Sequence, residues 1–438
     1  MITVAISTLG CKVNQYESAG ILENLDKSTF LPVPFNTKAD CYIINTCTVT
    51  GRTNYQSRQL IRRAIRMNPD ACIIVTGCYA QVAPEELARI PGVTLIAGNA
   101  EKEHIPEIIQ NIIKGNQQVS VSDISSLRNF SGLSPLKIPG HTRAFLKIQD
   151  GCNCYCSYCI VPYARGPSRS LPENEVLNRI EMLALAHHRE VVLTGIHLGV
   201  YGQDLMPPIN LYKILEYVER NKTVARLRLS SLEITEITDA IIRLMQEGTT
   251  LCRHLHVPLQ SGDGRILAAM RRNYNPSFFK SRLEEIVQAV PGIAIGIDVM
   301  VGFPGEGEEE FNSTCKLIED LPVAYLHVFP YSERPGTLSS GLPGNINETV
   351  KKRRSEILRI LGRKKRMAFA ARFIGVKTAV LVEDKKDKIT GFWKGFSDNY
   401  IPVIIENGNS SLENCIVNVI PDYVREGKLY GRIVDNDR

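Results

Sequence analysis

Four cysteines fall within eight residues of one short stretch, Asp150–Pro162, which reads D-G-C-N-C-Y-C-S-Y-C-I-V-P. Nothing else in the chain constrains it as tightly. Cys152, Cys156 and Cys159 form the spacing C-x3-C-x2-C. Three thiolates this close along a chain can grip three corners of an iron–sulfur cube. The fourth iron then lacks a protein ligand, an open position of the kind that catalytic metal sites keep for substrate. A four-ligand zinc site would show a second C-x2-C or a histidine pair nearby, and none follows. Cys154 falls in a variable slot of the pattern and reads as a bystander.

With the aromatic Tyr158 before its last cysteine, this motif resembles the radical S-adenosylmethionine superfamily. The resemblance implies a 4Fe–4S cluster whose open iron binds the amino and carboxylate groups of S-adenosylmethionine. One electron passed into the sulfonium yields a carbon radical, chemistry a protein borrows from its cofactor.

At 438 residues the chain is expected to hold two or three domains. Its N-terminus reads as a strand rather than an export signal, so its 12 cysteines point to metal binding more than to disulfides. No apolar run of about twenty residues is present to span a bilayer. A cytoplasmic protein without a membrane partner is therefore expected. The net charge of +6 gathers toward the C-terminal third, which fits a nucleic-acid partner.

Residues 1–117 alternate apolar strands with helical stretches, as in an open parallel α/β sheet. Strands are expected at Ile2–Thr8, Cys41–Asn45, Cys72–Thr76 and Thr94–Ala97. The first three end in T-L-G-C, I-N-T-C and V-T-G-C, which place Cys11, Cys47 and Cys78 in three successive loops. The carboxyl ends of neighbouring parallel strands converge on one edge, so these thiols should meet. They fit a second iron–sulfur cluster. Cys41 and Cys72 read as small core residues.

The trio followed by the radical motif resembles the methylthiotransferase family over essentially the whole chain. That resemblance implies an auxiliary 4Fe–4S cluster on Cys11, Cys47 and Cys78 that carries the sulfur to be inserted. The residues alone also allow a structural cluster or a redox relay. In the implied reaction one S-adenosylmethionine methylates the sulfur. A second gives a 5′-deoxyadenosyl radical, which takes a hydrogen from an unactivated carbon.

Residues 118–140 begin as a strand and become a Ser/Pro/Gly linker. Residues 141–368 repeat strand then helix. Strands are expected at Ala144–Gln149, Val191–Thr194, Arg226–Leu229, His254–Pro258, Ile293–Met300 and Tyr325–Phe329. That pattern makes a partial (β/α)6 barrel with its site at the carboxyl ends. The resemblance places Gly195, Glu233, Gln260 and Asp298 in the S-adenosylmethionine pocket, with Gly302, His327 and Tyr331 near it. Ordinary turn glycines and strand-end polar groups would look the same. Arg165 and Arg169 either hold phosphates or a cofactor carboxylate, or are solvated surface charges. No residue is assigned a catalytic role.

The basic run Lys351–Arg366 carries Ile357, Leu358 and Leu361 at helical spacing, an apolar side expected to pack on the barrel. Its basic side faces solvent or an RNA backbone. Residues 369–438 read as five short strands, a small antiparallel β-barrel that resembles the TRAM domain, an RNA-binding fold. Phe392, Trp393, Phe396 and Tyr400 are divided between stacking faces and core.

The opening T-L-G-C-K-V-N-Q-Y-E-S looks like the branch of the family that modifies threonylcarbamoyladenosine at tRNA position 37. That branch implies methylthiolation of carbon 2 in the anticodon loop, with an electron donor such as a flavodoxin or ferredoxin. The alternatives are the branches acting on isopentenyladenosine or on a ribosomal-protein aspartate. A non-catalytic iron–sulfur RNA-binding protein is the reading from another class.

Overall fold

The computed structural model describes residues 1–111, 117–409 and 412–434. Strands β1 (Ile2–Thr8), β2 (Phe30–Val33), β3 (Cys41–Thr46), β4 (Cys72–Gly77), β5 (Leu95–Ala97) and β6 (Gln118–Ser120) form one sheet in the order β2-β1-β3-β4-β5-β6. Every pair is parallel. β3 is buried at each of its positions, as a central parallel strand covered on both faces must be. β2 is a strand the sequence did not announce. Its F-L-P-V contains a proline, and the sheet edge is where a strand tolerates one.

The helix Lys12–Glu23 follows β1 and serves two bodies at once. Ile21 belongs to the core under the sheet, while Tyr16 and Ala19 belong to the core of the central barrel. The linker is strapped across this helix rather than free. Leu133 and Ile138 are buried. A Cβ at Gly20 would stand 2.9 Å from the Cβ of Leu133, so glycine is what lets the strap lie down.

β7 (Ala144–Lys147) runs into a two-residue antiparallel ladder between β8 (Gln149–Asp150) and β9 (Arg169–Ser170), which closes the cysteine loop. β10 (Glu190–Thr194), β11 (Arg226–Leu229), β12 (His254–Gln260), β13 (Ala294–Val301) and β14 (Tyr325–Pro330) follow, alternating with helices. They pair as two parallel triplets, β7-β10-β11 and β12-β13-β14. The isolated bridges Leu227–Leu251 and Ser231–His256 join the triplets. Among the described residues β7 and β14 do not pair, so the barrel is partial and open on one side.

The last strands, β15 (Thr378–Val382), β16 (Trp393–Ser397), β17 (Pro402–Ile405), β18 (Ile416–Arg425) and β19 (Lys428–Ile433), close into a small barrel. It is not antiparallel throughout. The long β18–β19 hairpin swings back so that β19 meets β17 running the same way. Trp393 fills the small core. Phe396 and Tyr400 turn toward the central barrel instead of outward. Arg143 lies over both rings, at 4.6 and 5.2 Å, and Arg228 over Tyr400 at 4.9 Å. Arg228 also donates to the backbone oxygens of Ser397 and Asp398. Of the four aromatics, Phe392 stays exposed.

The helix Glu348–Ala371 buries Arg354, Ser355, Leu358 and Gly362. Ile357 is exposed, contrary to the expected apolar side. The buried face is rotated because Arg354 is drawn inward to Glu306, which it meets at 2.7 Å.

Candidate iron–sulfur and S-adenosylmethionine site

The radical loop is fixed by its backbone. Gly151 has φ +71°, and a Cβ there would sit 2.0 Å from the carbonyl oxygen of Pro167. Cys152 N donates to Gly166 O, Cys159 N to Cys156 O, and Ser157 N to Met270 O. Arg272 places Nη1 3.4 Å from Cys156 Sγ and pairs through its other nitrogen with Glu233. Burial lifts the Glu233 carboxyl although Arg272 opposes it. Burial also pushes the Cys159 thiol up to about 12.

His197 was not singled out by its sequence. Its Nδ1 lies 3.4 Å from Cys154 Sγ and 3.7 Å from Cys152 Sγ, while Nε2 meets Glu236 Oε1 at 2.5 Å. Burial opposes its charge, yet the hydrogen bonds to Cys154 and Glu236 raise it to about 10. Cys152, Cys154 and His197 cluster within 4.8 Å, near enough to share one ion. Tetrahedral zinc would need a fourth ligand, and Glu236 is occupied on the far side of the imidazole. Cys152, Cys156 and Cys159 make no such compact set among the described residues. Wider spacing suits thiolates that each serve a different iron of a cube.

The second trio stands where the sheet order demands. β1, β3 and β4 are neighbours. Cys11 caps the helix Lys12–Glu23, Cys47 follows β3, and Cys78 opens a short helix after β4. A Cβ at Gly10, φ +98°, would lie 2.9 Å from Cys47 Sγ. Burial raises the Cys11 thiol although Arg165 opposes it, and lifts Cys47 to about 11, with Cys78 and Cys11 adding to the rise in Cys47. Cys11 nonetheless keeps an exposed face. Three soft donors, one of them open, fit an iron–sulfur cluster with a free iron.

The two loops meet through a buried ionic seam. Glu17 accepts from Lys102 at 2.5 Å, Lys147 at 3.0 Å and both arms of Arg165 at 2.9 and 3.1 Å. Asp150 accepts from Lys147 and Arg165. Arg165 also reaches Asn14 Oδ1 at 2.5 Å. Asn99 donates to Ala164 O at 2.7 Å and lies 3.8 Å from Cys78 Sγ. Arg165 and Arg169 are thus neither ligand clamps nor solvated charges. Both are buried, and Arg169 bonds the backbone oxygens of Arg165 and Pro167.

The remaining expected site residues divide. A Cβ on Gly195 would meet Gln149 Oε1 at 2.8 Å, so this glycine makes room for Gln149. Gln149 in turn accepts from His197 N and braces Asp150, Gly151 and Ser168. Gln260 lies at a break in the β12–β13 register with φ +63°. Asp298 lies on β13. It pairs with His256 at 2.8 Å and His327 at 3.3 Å, which hold it down to about 2 against the opposing effect of burial. Gly302 makes a turn, φ +77°, against Lys351. Tyr331 is a core residue, packed edge-on against Phe303 and bonded to Ser339.

Beside the two loops lies a cleft of about 840 Å³, lined in part by Thr48, Asn54, Gln81, Ile160, Tyr163 and Arg334. In sequence, Thr48 of this lining follows Cys47 and Ile160 follows Cys159. No helix among the described residues is long and apolar enough to cross a membrane.

Residues 3–98 match a family described as Uncharacterized protein family UPF0004, and residues 146–318 match the Radical SAM superfamily. The threonylcarbamoyladenosine tRNA methylthiotransferase MtaB of Bacillus subtilis is 40% identical over 423 residues, 96% of this chain and 93% of the relative. The protein of the same name from Aquifex aeolicus is 38% identical over 404 residues, 91% of this chain and 96% of the relative. A solved radical S-adenosylmethionine methyltransferase, TsrM from Kitasatospora setae, with cobalamin and a 4Fe–4S cluster bound, aligns with a TM-score of 0.57. Its sequence identity is 16% over 77% of each chain, a likeness of fold alone.

Proposed function

The chain belongs to the radical S-adenosylmethionine methylthiotransferases, and from that premise we propose that it methylthiolates carbon 2 of N6-threonylcarbamoyladenosine at position 37 of tRNA. The observation that carries the reading is the seam. It ties the helix after Cys11 to the residues flanking the loop of Cys152, Cys156 and Cys159, which supports a reading in which both trios serve one substrate carbon.

Cys152, Cys156 and Cys159 would hold the radical cluster, and Cys11, Cys47 and Cys78 the auxiliary one. When bound, the first cluster with S-adenosylmethionine supplies a 5′-deoxyadenosyl radical, and the second supplies the sulfur to be methylated and inserted. The chain's own residues orient and enclose. Arg272, held by Glu233, sets a positive charge beside Cys156. Gly195, Glu233, Gln260 and Asp298 line the S-adenosylmethionine side of the barrel in this reading. A base turned out of an anticodon loop is the substrate such a pair of trios would serve.

We assign residues 1–117 to the auxiliary-cluster domain, 118–140 to the linker, 141–368 to the radical barrel and 369–438 to a TRAM-type RNA-binding barrel. A flavodoxin or ferredoxin would supply the electron, in the cytoplasm.

Nucleoside mass spectrometry of tRNA from a deletion strain tests the substrate. The methylthio form of threonylcarbamoyladenosine should vanish, return with the wild-type chain, and stay absent with Cys156→Ser. Loss of the mark from isopentenyladenosine or from a ribosomal protein instead would refute the assignment. Anaerobically loaded protein should carry about eight irons per chain, and about four would refute the second cluster.

A further inference from the structure

We propose that Lys12 is the counter-ion for the carboxylate of the substrate's threonyl group, and so the residue that separates a threonylcarbamoylated base from an uncharged one; this rests on the substrate reading above. Lys12 is the first residue of its helix and directly follows Cys11. Its side chain crosses from the sheet to the barrel, where Nζ lies 5.9 Å from the centre of the Phe145 ring on β7. Among the described residues this ammonium makes no hydrogen bond and no ion pair.

The neighbouring charges are all committed. The groups that act on Lys12 include Tyr400, Arg143, Arg228 and Glu190, and Lys12 in turn acts on His254. Glu190, the acid among them, is held by Arg228 at 2.6 Å and by Arg226 at 3.7 Å. Arg143 pairs with Glu383 and stacks on Phe396 and Tyr400. Lys147 and Arg165 are taken by Glu17 and Asp150. Lys12 is left half-buried among cations and a phenol, an arrangement that is unfavourable until an anion arrives.

The chemistry of the base supplies that anion in the right place. Carbon 2 and carbon 6 of adenine flank the same ring nitrogen. When carbon 2 faces the auxiliary trio, the N6 substituent projects from the same edge of the ring. Lys12 follows Cys11 directly, and in this proposal its ammonium meets that substituent. A threonylcarbamoyl group ends in a carboxylate that is ionised at neutral pH. An isopentenyl group offers no charge, and a buried ammonium would be left unpaired against it.

The test uses the loaded enzyme and three anticodon stem-loops. One carries threonylcarbamoyladenosine, one its methyl ester, and one plain adenosine. Wild type should bind the acid roughly 10- to 100-fold more tightly than the ester, the range for a charge-assisted hydrogen bond. Lys12→Gln should bring that ratio near one, and Lys12→Arg should restore most of it. Iron content of both variants reports whether the Cys11 loop still loads. An acid-to-ester ratio unchanged in Lys12→Gln overturns the proposal. So does a wild type that binds acid and ester equally while still methylthiolating the acid, a result that leaves the substrate reading standing. If wild type does not modify the acid at all, the substrate reading itself has failed.

Discussion

Among the four cysteines of the radical loop, distance in sequence and role are not the same thing. Cys154 is exposed and points to His197, whereas Cys156 stands beside the Arg272 guanidinium. A cation beside a thiol favours the thiolate form that binds iron. Arg272 offers that to Cys156, while the His197 charge beside Cys154 is shared with Glu236 on its other nitrogen. Cys154→Ser should therefore retain a full complement of iron and sulfide after anaerobic loading. Cys156→Ser should lose about four irons per chain, the content of one cube. Iron and sulfide analysis of the two purified variants decides it, and the reverse pattern would exchange their roles. The same contrast explains why the ligand cysteines were legible and their supports were not. Ligand spacing is local, but Arg272 reaches Cys156 across 116 positions, and Glu17 reaches Arg165 across 148. No window of sequence holds such a pair.

Secondary structure was legible wherever burial imposes a simple pattern. The central parallel strands are continuous apolar runs, and the five short strands of the last barrel alternate with turn residues. β2 escaped because an edge strand of four residues with a proline carries neither signal. The helix Glu348–Ala371 was half read, since its apolar stripe is interrupted by Lys351 and Arg354 on the buried side. That rotation leaves Lys352, Arg359, Arg363 and Lys364 on the outer face, with Ile357 and Ile360 between them. Lys352 and Arg359 are free of carboxylate partners among the described residues. If this face follows the RNA backbone, each cation releases counterions on binding. The paired substitution Lys352→Ala, Arg359→Ala should then lower the slope of log affinity for tRNA against log salt by roughly 1.5 to 2. Fluorescence anisotropy across a salt series measures that slope. An unchanged slope would mean that the helix shows its charges to solvent alone.

Across the whole molecule the seam does something neither domain does alone. It is built of two acids and four cations, all buried, contributed by the N-terminal sheet domain and by the barrel. Removing one charge from such a set leaves the others unpaired and typically costs about 3–5 kcal/mol. Glu17→Gln keeps the shape and removes the charge, so the apparent Tm should fall by several degrees. The pH dependence has a definite sign. Burial opposes ionisation of Glu17, but Arg165, Lys102 and Lys147 hold its carboxyl well below the usual carboxylate range. A group depressed in the folded state stabilises above its unfolded value and loses that contribution as pH falls toward the folded one. The gap in Tm between wild type and Glu17→Gln should therefore be full at neutral pH and narrow below about pH 4. Function gives the sharper readout. If the seam sets the distance between the trios, loosening it should let the radical form without a sulfur in line to receive the product carbon. Glu17→Gln should then make more 5′-deoxyadenosine per methylthiolated nucleoside than wild type, at equal iron content, measured by chromatography of one reaction. A variant with a lower Tm and an unchanged ratio would show that the seam only stabilises the fold, and that the alignment of the two trios is set elsewhere.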